Sequence, residues 1–297
     1  MDVSSGSVTW QRYPSPLRYP GGKGKIAPLV KRIFEANRLC DGHYAEPYAG
    51  GAGVALSLLY GEYATRVHIN DLDRSVYAFW YSVLHETEGL CRLVRDTSPN
   101  VSEWRKQRRV QGHKADAGLL ELGFSTFFLN RTNRSGIISS GGLIGGLSQA
   151  GEWAIDARLN APDLVKRIER VAMYRDRIDL TNLDALDFLA LAATSLPERS
   201  LVYLDPPYYD KGRLKLYANY YRTDDHADVA LIIQACPWPW IVSYDPSPAI
   251  ERLYAGRRLR RYDLRYTAAS SRTGAEVMFF SDDLVIPQEI RRILHKL

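Results

Sequence analysis

The stretch HYAEPYAGGAGVALSLLYGEYATRVHINDLD, residues 43–73, decides the fold. Its first four residues read as a short strand, His43 to Glu46, which runs into the turn PYAGGAG. A helix over Val54 to Tyr60 follows, and Arg66 to Asn70 alternates as a second strand. In a doubly wound sheet the turn after the first strand comes very near a ligand. Gly50, Gly51 and Gly53 leave room for backbone approach where a side chain would collide. Asp71, 25 positions after Glu46, ends the second strand, near the usual offset between a glycine turn and the acid that takes ribose hydroxyls.

Outward from this unit the same alternation continues. Ile26, Leu29, Val30, Ile33 and Phe34 predict a helix over Ile26 to Asn37, and Val76, Phe79, Trp80, Val83 and Leu84 another over Asp73 to His85. From Glu86 to Arg170 strand-like runs thin out, basic residues cluster in WRKQRR (104–109), and a Gly/Ser-rich stretch spans Ser135 to Gly151. Strands then return at Ile178 to Thr181, Leu201 to Leu204, Trp240 to Ser243, Leu259 to Tyr266 and Glu276 to Ser281, with a helix over Ala185 to Ala193. The expected architecture is α/β: an open, mostly parallel sheet formed by residues 1–85 and 171–297, interrupted by a mostly helical insert, 86–170.

At 297 residues, with 45% hydrophobic and 25% charged side chains, the chain has ample material for a core, which excludes peptide hormones, disulfide miniproteins and global disorder. Lys and Arg exceed Asp and Glu by 39 to 34, a mild excess that permits a polyanionic partner. Cys40, Cys91 and Cys236 lie far apart and form no CxxC, and the six histidines form no metal-ligand grid. No metal is expected. The first residues, MDVSSGSVTWQRYPSP, hold no apolar signal segment, and apolar runs such as FFL (127–129) are too short to span a bilayer. The expectation is a cytoplasmic, monomeric protein with no membrane association.

A second constellation, LVYLDPPYY (201–209), is a buried strand stopped by two prolines at the ligand-binding edge of the sheet. Asp205 supplies an acceptor, Pro206 a carbonyl without a competing N–H, and Tyr208 an aromatic face behind Pro207. Two acceptors holding an exocyclic amine aim its lone pair at an electrophile, while the aromatic ring stacks on the base. The chain has no GxxxxGK[ST], and PGGKGK (20–25) is no phosphate loop, which disfavours an ATPase. Lys23 reads either as a point charge for a carboxylate or as a solvated lysine in a flexible lead.

Taken in order, LRYPGGK (17–23), EPYAGGAG (46–53), NDLD (70–73), TNLDALDF (181–188) and DPPYY (205–209) resemble the Dam-type adenine-specific DNA methyltransferases over Leu17 to Ser281. The resemblance implies a class I S-adenosylmethionine-dependent methyltransferase fold and transfer of a methyl group to N6 of a flipped adenine in double-stranded DNA. It implies that Tyr19, Gly21, Gly22, Lys23, Glu46, Pro47, Tyr48, Gly50, Gly51, Asp71 and Asp205 surround S-adenosylmethionine, with Asp184, in preference to Asp187, meeting its adenine amine. The chain carries Tyr48 where the family often has Phe, and Tyr19-Pro20 where it often has Trp-Ala.

The family places target recognition in the insert, where Asn130, Arg131, Asn133 and Arg134 suit phosphates and base edges. Residues Arg252 to Arg272 hold seven arginines and one acid, Asp263, and alternating Leu259, Tyr262, Leu264 and Tyr266 read as one strand of a hairpin with YTAASSRTG as its loop; the resemblance implies that this loop lies against DNA near the target base, through Ser271 and Arg272. Trp238 and Trp240 read as packing residues at a strand start. The rival readings are the same chemistry on cytosine N4 or an RNA adenine, and a catalytically silent DNA-binding homologue.

Overall fold

The computed structural model describes residues 14–18, 23–207, 223–266, 272–288 and 290. Its centre is a seven-stranded sheet in the order β3-β2-β1-β4-β5-β7-β6. The strands are β1 (Gly42–Glu46), β2 (Ala64–Asn70), β3 (Ile178–Thr181), β4 (Ser200–Leu204), β5 (Trp240–Tyr244), β6 (Arg258–Tyr266) and β7 (Arg272–Phe280). The first five run parallel, β7 lies antiparallel to β5, and β6 closes the edge as β7's antiparallel partner. The α/β reading therefore holds, with a hairpin completing the sheet. Arg272, Thr273 and Gly274, read as loop, pair with Tyr266, Arg265 and Leu264 as strand.

Alternation along each strand sends side chains to two cores. Tyr44, Val67, Ile69, Leu201, Tyr203 and Ile241 face one side. There they meet α1 (Ala27–Ala36), α2 (Gly53–Tyr60) and α3 (Arg74–His85), whose Ile33, Leu56 and Phe79 are fully or almost fully buried. Ala45, Val202, Leu204 and Val242 face the other, against a helix over Ala185–Ser195 that supplies Phe188 and Leu189 and one over Thr223–Ala235 that supplies Val229 and Ile233. Trp238 and Trp240 are buried in this second core, as packing residues should be. Helices over Thr223–Ala235 and Pro248–Leu253 carry no strong period and were not expected from the sequence.

Between β2 and β3 the segment after α3 folds as α4 (Thr87–Asp96), α5 (Val101–Gly112), α6 (Leu119–Thr132) and α7 (Ala161–Ala172). The expected boundary at Arg170 falls inside α7. Numbered on from these, the three helices of the second face are α8 (Ala185–Ser195), α9 (Thr223–Ala235) and α10 (Pro248–Leu253). Phe124, Phe127 and Phe128 of α6 join the same core as Phe79 and Trp80 of α3, so the insert is packed onto the sheet's helical layer rather than tethered to it. Gly123 allows that approach: a Cβ there would lie 2.5 Å from the Ala78 carbonyl oxygen and 2.3 Å from Ser82 Oγ. Gly123→Ala should destabilise the protein by about 1–3 kcal/mol through overpacking, measured as a lower urea midpoint at unchanged slope.

Candidate functional site

Because β1, β2, β4 and β5 are parallel, their carboxyl ends share one edge, and the residues read from the sequence as a site arrive there together. Glu46 ends β1 almost wholly buried, its Oε1 accepting from Tyr44 Oη at 2.9 Å and from the Ala55 N–H at 3.3 Å. Burial pushes its carboxyl up to about 8. The glycine turn then bends back over β2. Gly50 takes a left-handed φ of +46°, which places its N–H 2.9 Å from Asp71 Oδ2 while Trp80 Nε1 donates to its carbonyl at 2.9 Å. Asp71 Oδ1 accepts from the Asp73 N–H at 2.9 Å. Desolvation, with Asp73 nearby, pushes the Asp71 carboxyl up to about 7.

Asn70 is the residue that the sequence reading passed over. Fully buried, its Nδ2 donates to the carbonyls of Pro47 and Leu183, each at 3.0 Å. Its Oδ1 accepts from Thr181 Oγ1 at 2.8 Å and the Leu183 N–H at 2.9 Å. One amide thus ties the β1 turn to the β3 turn, and Asn182 Nδ2 adds a bond to the Asp71 carbonyl at 2.7 Å. Asp184 is held on the same rim as the N-cap of α8, accepting from Leu186 N–H at 2.9 Å. Asp187 sits exposed on the first turn of that helix. Tyr48 packs partly buried against the second core, and Gly51 is half-buried in the turn.

At β4 the chain emerges as Asp205-Pro206-Pro207. Asp205 Oδ1 accepts from Ser243 Oγ at 3.0 Å, and Ser243 in turn meets Tyr203 Oη at 2.7 Å. Lys23 is no solvated lysine: its ammonium is buried 3.3 Å from Asp205 Oδ1 and bonds directly to Glu276 of β7. Glu276 is fully buried and accepts from Tyr262 Oη of β6 at 3.0 Å. Desolvation, partly offset by Lys23, leaves the Asp205 carboxyl at about 6. Gly24 and Gly53 let the Lys23–Ile26 turn lie on α2, since a Cβ at Gly53 would come 3.1 Å from Gly24 Cα. Glu276 was legible only as a single acid in an apolar strand, GAEVMFF.

Three residues read as DNA contacts are turned inward instead. Asn130 Nδ2 donates to the carbonyls of Arg18 and Gly136, at 2.7 and 2.9 Å, and its Oδ1 accepts from the Arg18 N–H at 2.8 Å. Arg131 Nε donates to the Pro16 carbonyl at 3.0 Å, and burial brings its guanidinium down to about 9. Asn133 accepts from Trp104 Nε1 at 2.7 Å and donates to the Ile137 carbonyl at 2.8 Å. The physical reason is packing: α6 is buried on nearly all sides, so its last turn and cap meet the lead and the following loop rather than solvent. Arg134, one residue beyond the helix cap, is exposed. Tyr19, Gly21, Gly22, Tyr208 and Ser271 lie outside the described residues, and Arg272 opens β7.

Among the described residues no group of three or more His, Cys, Asp or Glu is arranged to hold a metal ion, and no helix is long and apolar enough to cross a membrane.

Comparison with known proteins bears on this site. No curated protein matches the chain. Among solved structures it is similar to the rRNA methyltransferase aviRa from Streptomyces viridochromogenes, with 14% identity, a TM-score of 0.40, and coverage of 95% of this chain and 96% of that one. It is similar also to a SAM-dependent methyltransferase from Agrobacterium tumefaciens, with 8% identity, a TM-score of 0.39, and coverage of 86% and 62%. The model of the D12 class N6 adenine-specific DNA methyltransferases matches residues 19–267, which span Lys23, the glycine turn, Asp71, Asp184 and Asp205. The chain belongs to the D12 class N6 adenine-specific DNA methyltransferase family.

Proposed function

We propose that this protein transfers a methyl group from S-adenosylmethionine to the N6 amine of an adenine flipped out of double-stranded DNA. The observation that carries the reading is Asp205, an acceptor at a proline-stiffened strand end, on the same sheet edge as the Gly50/Asp71 rim. The rim fits the cofactor. Asp71 has two backbone donors, while a carboxylate offers about four acceptor positions. Asp71 is partly exposed at the rim and desolvation raises its carboxyl, so a pair of ribose hydroxyls would supply donors that favour its ionised form. Asp184, Glu46, Lys23 and the Pro47 to Gly51 turn line the remainder of that rim, and Tyr19, Gly21 and Gly22 complete it on the family's pattern.

The cofactor supplies an electrophilic methyl group on a sulfonium, so the protein's task is to aim a nucleophile. Asp205 accepts one amine N–H and the Pro206 carbonyl the other, which directs the nitrogen lone pair out of the base plane. Pro207 stiffens the turn and Tyr208 stacks on the flipped base. Bond formation from N6 to that methyl group, with the C–S electron pair leaving on sulfur, would place positive charge on N6. Asp205 stabilises it and, with a carboxyl near 6, can take up the proton that N6 sheds.

The insert, residues 86–170, is the target-recognition segment in this reading, and on the family's pattern Ser271 and Arg272 of the hairpin loop would meet DNA near the target base. Its DNA face is carried by exposed Arg134 and by Arg105, Lys106 and Arg109 on the outer face of α5. Two contacts place α5 against the site's flanks. Lys114, just past its end, meets Asp73 at 2.8 Å, and Trp104 bonds to Asn133 beside Arg134.

Asp205→Ala should fold but lose about 100-fold or more in turnover, measured as labelled methyl transfer to adenine-containing duplex, with the modified nucleoside identified by mass spectrometry. Near-normal turnover would reject the mechanism. Asp71→Asn should weaken cofactor binding by about 1–3 kcal/mol. In the wild type the sign is set by the raised carboxyl: below pH 7 binding must first expel a proton, so affinity should fall by up to about tenfold per pH unit. Calorimetry of Asp71→Asn should lose that slope. Arg134→Ala should lower the slope of log affinity for DNA against log salt by about one, whereas Arg131→Ala should chiefly lower the unfolding midpoint.

A further inference from the structure

The buried ammonium of Lys23 stands between two carboxylates contributed by distant parts of the chain, Asp205 at the end of β4 and Glu276 in β7. The proposed chemistry uses Asp205 and leaves Glu276 without a role. Glu276 is the more deeply buried of the two, in direct contact with Lys23 and anchored by Tyr262 Oη. A fully buried acid on a strand that otherwise packs Val277, Met278, Phe279 and Phe280 costs folding energy, so its presence calls for a compensating interaction at this position.

We propose that Glu276 is a positioning residue for methyl transfer: its carboxylate holds the Lys23 ammonium in place and draws on its charge, and so sets how strongly Lys23 supports the ionised form of Asp205. The inference rests on the reading of Asp205 given above. The groups facing Asp205 come from every element around it: Lys23 from the Lys23–Ile26 turn, Tyr44 and Glu46 from β1, Tyr203 from β4, Ser243 from β5, Tyr262 from β6 and Glu276 from β7. Of these, Lys23 and the Ser243 hydroxyl favour the carboxylate, and Glu276 opposes it. Asp205 in turn helps to raise the Glu46 carboxyl. Desolvation is the largest cause of the raised Asp205 carboxyl, and the charge of Glu276 on the shared cation adds to it, because two like charges disfavour each other.

The sign of this effect is testable. Replacing Glu276 by Gln removes the opposing charge while retaining shape and a hydrogen-bond acceptor. The Asp205 titration and the acid limb of the kcat profile should then both move to lower pH, by about one unit or more, with the KM for cofactor changed far less than kcat. Tyr262→Phe removes the hydroxyl donor from Glu276, which then draws harder on Lys23, and both titrations should move to higher pH. Lys23→Met should move them higher still. Asp205 is followed by carbon-13 carboxyl NMR on the full chain alongside methyl transfer to duplex DNA. A folded Glu276→Gln protein whose Asp205 titration is unmoved or moves upward overturns the proposal. If that variant does not fold, an unmoved titration in Tyr262→Phe overturns it. Absence of methyl transfer by the wild type overturns the substrate reading alone, because the NMR titration needs no substrate.

Discussion

The ammonium of Lys23 is the contact on which the site is assembled. It joins three segments that nothing in sequence brings together: the turn after the lead, the end of β4 and the edge hairpin, 253 positions away. Without it, Asp205 and Glu276 would be two carboxylates near one another at a poorly hydrated strand edge, an arrangement that a folded chain resists. With it, the Lys23–Ile26 turn is held at the carboxyl edge, and the Gly24–Gly53 contact lets that turn settle onto the helix that follows the glycine turn.

The same edge is marked by carboxyl groups that burial has made reluctant to ionise, Glu46 near 8, Asp71 near 7 and Asp205 near 6. A group whose folded value is raised binds its proton more tightly in the native state than when unfolded. Each therefore costs stability as pH climbs from about 4 through its folded value. Such a cost, gathered at one edge rather than scattered through the core, is what a ligand-binding site requires: donors from a ligand relieve it. Function and stability are opposed here, and the large apolar cores on both faces of the sheet carry the difference.

The insert shows the complementary logic. Its buried polar residues Asn130, Arg131 and Asn133 satisfy backbone carbonyls of the lead and of the loop after α6, so they shape the surface from beneath while Arg134 and the outer face of α5 meet solvent. In the proposed reading, a residue of this kind would affect DNA engagement only through the loop it holds. Arg108, which lies over the Trp104 ring and donates to the Ser139 carbonyl, does the same from the α5 side.

Periodicity and turn chemistry made much of this protein legible before any coordinates. The parallel strands are visible because a strand buried on both faces must be apolar, as in Leu201 to Leu204. The candidate site's edge is visible because a glycine-rich turn and a strand stopped by two prolines mark it. Tertiary structure alone decided what each polar side chain faces. The run Asn130-Arg131-Thr132-Asn133 has the composition of a nucleic-acid contact, yet the packing of α6 turns it inward. Asn70 and Glu276 look unremarkable in sequence, yet burial makes one the tie between two turns and the other the partner of Lys23. Local sequence sets backbone preference over a few residues, whereas the worth of a charge or an amide depends on the water removed from it, and that is set by segments hundreds of positions away.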